Sequence, residues 1–315
     1  MKSKAKYIIA VIAAVIVCVF IANFKISVSV NVDDNINALA SVISIGQQNS
    51  EVAAPFVQIP QSTAPTASAP AVQQTEPSAQ QNTDASVSAS SMPTETKDII
   101  DKYSLLVNKF KQEKPAYKKK EFQSLPEEYR NFGTGINVIL DLASGYMVSE
   151  EDAEELVRSA NCEDIVWDMP VHNTDKGCLL TDYSAVTWAK CEDNGDGTYK
   201  ISFSLKEEVN AAPTSPETLT PTSAHGAVMQ PANMDDIKTE VDKVTSKVPG
   251  LAVNQFDLTY RECVFECVYN PQTDEVKSIT HHIVIDINAD VKLFVSDING
   301  SARLLNEMYI YDITW

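Results

Sequence analysis

Residues 256–288, FDLTYRECVFECVYN-PQTD-EVKSITHHIVIDIN, decide the fold. Apolar and polar residues alternate through both halves: Cys263, Phe265, Cys267 and Tyr269 share one face, and Ile279, Ile283, Ile285 and Ile287 share another. A period of two marks strands buried on one side. Asn270-Pro271-Gln272-Thr273-Asp274 supplies the turn chemistry between them, so 256–270 and 276–288 are expected to form an antiparallel hairpin. On such a strand His281 and His282 point to opposite faces and cannot share a metal ion. Cys263 and Cys267 would stand roughly 13 Å apart, too far for a mutual disulfide.

The meander is expected to continue C-terminally through Val291–Val295 and Ala302–Trp315, reversing at Asn299-Gly300. On the N-terminal side, 184–192 and 198–206 alternate in the same way around Asp193-Asn194-Gly195-Asp196-Gly197. Asn-Gly and Asp-Gly supply the positive φ that a hairpin turn needs. Tyr199, Ile201, Phe203 and Leu205 share one face of the second strand. Four prolines, Pro213, Pro216, Pro221 and Pro231, mark a long loop.

Helical spacing appears elsewhere. Thr96 is expected to cap a helix with Ile99, Ile100, Tyr103, Leu106, Val107 and Phe110 on one face. Pro115 and the Lys118–Lys120 run close it, and that basic triplet reads as a solvated face. A second helix is predicted over 135–148, with Ile136, Ile139, Leu140, Ala143 and Met147 as its stripe. Ser149 and Asp152 have capping-box spacing for a third, ending near Asn161, with Ala153, Leu156, Val157 and Ala160 inward. Ile237, Val241, Val244 and Val248 stripe a fourth. The layout predicts an α+β domain over 97–315, with N-terminal helices packed on a twisted, mostly antiparallel sheet of about six strands.

Upstream the material changes. Residues 51–96 are rich in Pro, Ala, Ser, Thr and Gln, with no Lys or Arg, a composition that cannot bury enough apolar surface to offset its ordering entropy. They read as a disordered linker with a reach on the order of 40 Å, or as a glycosylated stalk. Residues 26–50, in which Ile26, Val28, Val30 and Val32 alternate with polar residues, read as a juxtamembrane stalk that opens on a short strand or runs extended. Lys2, Lys4 and Lys6 precede an unbroken apolar run from Ile8 to Ala22, and 7–24 is long enough to span a bilayer as a helix. Phe20 fits a signal-peptide cleavage site poorly, and Ala38-Leu39-Ala40 lies too far downstream. The expectation is a retained single-pass signal-anchor over 1–25, N-terminus cytoplasmic by its lysines, with the rest extracytoplasmic in a cell envelope.

The chain carries 25 Lys+Arg against 43 Asp+Glu, a net charge of −18. Such a surface repels a phosphate backbone and excludes a nucleic-acid partner. Glu192, Asn194, Asp196 and Gly197 superficially fit a calcium loop, but its last ligand would be Phe203, which has no carboxylate. The acids from Glu150 to Glu155 suit a helix N-terminus better than a cation site. The exported cysteines number five, Cys162, Cys178, Cys191, Cys263 and Cys267, and one bridge is expected among the first three. His172 or His225 with Cys178 makes a conceivable nucleophile pair, and Cys162, His172 and Cys178 a partial zinc site. No P-loop, G-x-S-x-G or G-x-G-x-x-G is present. No catalytic residue, metal ligand or cofactor is assigned, and the chain reads as a binding protein.

The order of elements across 97–315 resembles the half-barrel family of extracytoplasmic lipid and lipoprotein carriers. That resemblance implies a curved antiparallel sheet cupping helices around an apolar or lipid-like ligand. Phe203, Phe265, Ile283, Ile285 and Ile287 are the cavity residues this reading selects. The alternatives are an envelope module that meets a protein or wall polymer, marked by exposed aromatics near Trp167 and Trp188, and an envelope hydrolase.

Overall fold

The computed structural model describes residues 92–131, 148–246, 251–293 and 296–315. The expected anchor, the stalk, most of the linker and the 135–148 helix, save Val148, lie outside the described residues. Among the described residues no helix is long and apolar enough to cross a membrane.

The domain is α+β: few helices and one open sheet whose strand pairings, among the described residues, are all antiparallel. The elements are α1 (Thr96–Glu113), β1 (Ala116–Ser124), β2 (Leu156–Arg158), the single turn α2 (Ile165–Asp168), β3 (Val186–Asp193) and β4 (Tyr199–Leu205). Then come β5 (Glu208–Val209), α3 (Met234–Thr245), β6 (Leu251–Tyr260), β7 (Val264–Asn270), β8 (Glu275–Leu293) and β9 (Ser296–Thr314). The nine strands run β2-β1-β9-β8-β7-β4-β3, with β6 continuing along β8 beyond β7 and β5 paired to β6. Among the described residues nine strands replace the six expected.

The hairpin read from the sequence forms, with one amendment. Residues 256–270 are two collinear strands, because β6 and β7 pair with successive stretches of the same partner. Tyr260 faces Ile285 and Val264 faces His282, so three residues on one side oppose two on the other. Glu262 absorbs the extra residue at φ +53°, the geometry of a bulge. The Asn270–Asp274 turn closes with Asp274 N–H donating to the Asn270 carbonyl at 2.9 Å. Gly195 and Gly197 sit at φ +77° and +87° in the β3–β4 turn, as its dipeptides require.

Asn299-Gly300 is not a turn. Both residues lie within β9, opposite Asp290 and Ala289, and the reversal falls between Leu293 and Ser296, which pair directly. The two 19-residue strands β8 and β9 form the spine of the sheet, and a ladder this long outweighs a local turn preference.

α1 buries the predicted stripe, Ile99, Ile100, Tyr103, Leu106, Val107 and Phe110. Each such side chain contributes about 1.5–3 kcal/mol when fully buried. Thr96 is the first helical residue rather than the cap: Glu95 takes that place, without a side-chain bond. The helix stops where Lys114 turns left-handed at φ +48° and Pro115 follows.

The expected third helix is absent. Ser149 and Asp152 do make their reciprocal bonds, Ser149 Oγ donating to Asp152 at 2.6 Å and accepting from its N–H at 3.2 Å. They close a turn instead, and Leu156–Arg158 extends to pair with β1. That pairing delivers Arg158 to the buried Asp168, which a helix would not do. The Lys118–Lys120 run is likewise not a solvated face but the middle of β1, and Lys119 is buried. No disulfide joins the five described cysteines; all are free.

Candidate functional site

Burial alternates strictly along β7, and β9 follows the same rhythm, so the sheet has one covered and one open face. On the covered face α1 packs chiefly across β3, β8, β7 and β4, while α3 packs on β6. Two of the five sequence-selected residues lie beneath α1. Phe203 and Phe265 stack with ring centroids 5.2 Å apart, and Tyr103 of α1 meets Phe203 edge-on at 4.8 Å. The other three lie further along β8, where Ile283 pairs with Asn306, Ile285 with Leu304 and Ile287 with Ala302. The five thus form a stacked aromatic pair and an aliphatic strip within one buried core. Phe203 and Phe265 are 0% exposed, whereas Ile283, Ile285 and Ile287 keep 3–4% of their surface.

Polar groups interrupt this covered face along β1. Lys119 Nζ donates to the Asp168 carbonyl at 2.6 Å and pairs with Glu121 at 2.8 Å. Glu121 also accepts from Asn306 Nδ2 at 3.2 Å. Gln123, directly opposite Asn306, completes the row. Gln123 Nε2 and Asn306 Oδ1 are buried without a hydrogen-bond partner. The sequence reading missed both, since an isolated Gln or Asn carries no local sign of burial. The only available signal was phase: Gln123 keeps the parity of Tyr117 and Lys119, and Asn306 that of Leu304 and Met308.

A second polar cluster is structural. Asp168 accepts two bonds from Arg158, at 2.6 and 3.1 Å, and one from Tyr117 at 2.7 Å. Lys111, fully buried at the end of α1, donates to the Met169 and Val171 carbonyls at 2.9 and 2.8 Å. Desolvation pulls its ammonium down to about 7, with Asp175 opposing. Together these groups tie the 165–171 segment to α1 and β1. Burial also lowers His172 to about 4, helped by the positive charges of Lys119 and Lys111.

The histidine and cysteine pairings drawn from sequence are not made. Cys178 accepts from Ser104 at 3.1 Å, and His225 is bonded to Glu208 at 2.9 Å. Burial raises the Cys178 thiol and pushes Cys263 up to about 12, so neither is an activated thiolate. Among the described residues no three His, Cys, Asp or Glu side chains converge as a metal site requires.

The open face carries paired charges and rings. One row across adjacent strands reads Trp188, Ser204, Val264, His282, Glu307 and Phe122, of which Ser204 is itself buried. His282 pairs with Glu307, which also accepts from Tyr309 at 3.2 Å. Phe122 stacks on Tyr309 at 5.9 Å, and Lys200 meets Glu266 at 3.1 Å. Trp188 is 40% exposed, and Trp167, on α2, is 52% exposed. Comparison of the chain with protein families, curated proteins and solved structures found no match.

Proposed function

We propose that this is a membrane-tethered, extracytoplasmic binding protein that holds an apolar or lipid-like ligand against the covered face of its sheet. The apolar run over 7–24 anchors the chain, and the Pro-rich linker gives the domain its reach. The observation that carries the reading is the strip of Ile283, Ile285 and Ile287 with Leu304 and Ala302. It lies on β8 and β9 and belongs to the same buried apolar core as the rings beneath α1. From Ile283 to Val291 the same parity of β8 runs for about 27 Å, longer than a common extended acyl chain. Native mass spectrometry of the full chain, extracted in mild detergent from the membrane that makes it, tests the reading. A co-purifying mass in the lipid range is the expected result. A bare protein mass that stays bare after incubation with long-chain amphiphiles would remove it.

The exposed Trp188 at the head of the open-face row favours a second reading, an envelope module that meets a protein or wall polymer there. Loss of envelope retention in Trp188→Ala, with lipid-range adducts absent, would select it.

A further inference from the structure

We infer that the amide pair Gln123 and Asn306 recognises the head of the bound molecule, and that this head is a neutral group able both to donate and to accept a hydrogen bond, a hydroxyl being the simplest. The inference rests on the apolar-ligand reading and specifies its polar end. Gln123 on β1 and Asn306 on β9 are direct cross-strand partners, 7% and 8% exposed, on the covered face. Asn306 Nδ2 is committed to Glu121, which leaves Oδ1 as the free acceptor. Gln123 Nε2 is the free donor beside it. Glu121 is in turn neutralised by Lys119 at 2.8 Å, so the pair sits next to a closed ion pair rather than a spare charge.

Leaving a buried donor or acceptor unmade costs about 1–3 kcal/mol apiece. A group that satisfies both at once is therefore selected over one that satisfies half. A carboxylate or ester accepts from Gln123 but has no proton for Asn306; an ammonium donates but cannot accept. One hydroxyl oxygen does both. The tail direction follows from register, because Asn306 stands opposite Ile283 and the aliphatic strip continues through Leu304–Ile285 and Ala302–Ile287.

Three probes with one tail and different heads separate the possibilities: oleyl alcohol, methyl oleate and oleate. The full chain in mild detergent is incubated with an equimolar mixture and its adducts are compared by native mass spectrometry. Oleyl alcohol is expected to exceed methyl oleate about tenfold, the equivalent of one satisfied bond of roughly 1.4 kcal/mol. In a Gln123→Leu/Asn306→Leu variant the alcohol adduct should fall to the ester's level while the ester adduct persists. Equal occupancy by all three probes in the unaltered chain would overturn the head-group inference and leave the apolar-ligand reading standing. A preference for oleate would overturn it in favour of charge recognition. No adduct with any probe would remove the apolar-ligand reading itself. The ranking in the unaltered chain decides the matter even if the double variant fails to fold.

Discussion

His281 and His282 are chain neighbours on β8 that stand on opposite faces of the sheet. On the covered face His281 is buried, shares a hydrogen bond with Tyr103 at 3.0 Å, and is held down to about 3 by desolvation, with a smaller push from Lys119. On the open face His282 is raised, chiefly by its hydrogen bond to Glu307. The lysines of β1 repeat the contrast. Lys119 is buried against a backbone carbonyl and Glu121, while Lys118 bridges Glu155 and Asp312 in solvent. The same residue type is a rigid internal strut on one face and a screened surface charge on the other. Burial raises the stake of every polar contact, because water no longer stands in for a missing partner.

That contrast can be broken most directly at its apolar centre. Phe265→Ala should cost about 4 kcal/mol in equilibrium urea unfolding, through lost transfer energy and the cavity left beneath Tyr103 and Phe203. A loss under about 1.5 kcal/mol would mean the α1 side of the sheet is loosely packed. Asp168→Ala should cost about 3 kcal/mol, since it strips Arg158 of its buried partner, leaving only the exposed Asp164, and leaves the Tyr117 hydroxyl without its acceptor. A change no larger than that of an exposed pair would show that the 165–171 segment is held without it.

The histidine pair sharpens the comparison by sign. His281 titrates near 6.5 when unfolded and about 3 when folded, so its contribution is complete above 6.5 and is lost as pH falls toward 3. The slope is at most ~1.4 kcal/mol per pH unit. His172, at about 4, adds to the same acid-side loss. His282 works the other way: its contribution is present below 6.5 and fades as pH rises through its raised folded value. Stability measured from pH 4 to 8 should therefore show a flatter acid limb in His281→Leu, and in His282→Gln an unchanged acid limb with a smaller fall above 6.5. Parallel profiles for both variants would refute the two-face assignment. The smallest effect belongs to Lys200→Ala, which loses the half-buried Glu266 pair on the open face and should cost under ~1 kcal/mol, less still in high salt.

Legibility followed locality. The alternation of 256–288, the Gly195 and Gly197 turn and the apolar stripe of α1 were all readable, since each depends on neighbours in the chain. β1 was not, because three consecutive lysines hide a period of two; only the structure reveals the carbonyl that receives Lys119. Ser149 and Asp152 bond to each other and still start no helix; Leu156–Arg158 pairs with β1 instead, and Arg158 reaches Asp168. The candidate site was half visible: Ile283, Ile285 and Ile287 were selected for their phase, whereas Gln123 and Asn306 acquire meaning only from facing each other.

The amino-acid sequence by itself determined the acidic balance, the apolar N-terminal run, the Pro-rich composition of 51–96 and the alternating strands with their Gly and Asn turns. These are properties of composition and of residues within a few positions, where sterics and hydration act directly. Tertiary structure alone decided that β8 and β9 run unbroken through Gly300, that β6 and β7 share one partner, and that five cysteines stay free. It also decided which polar side chains are buried. Those outcomes depend on groups far apart in the chain, whose pairing is settled by summed burial and hydrogen bonding across the whole sheet rather than by any local preference.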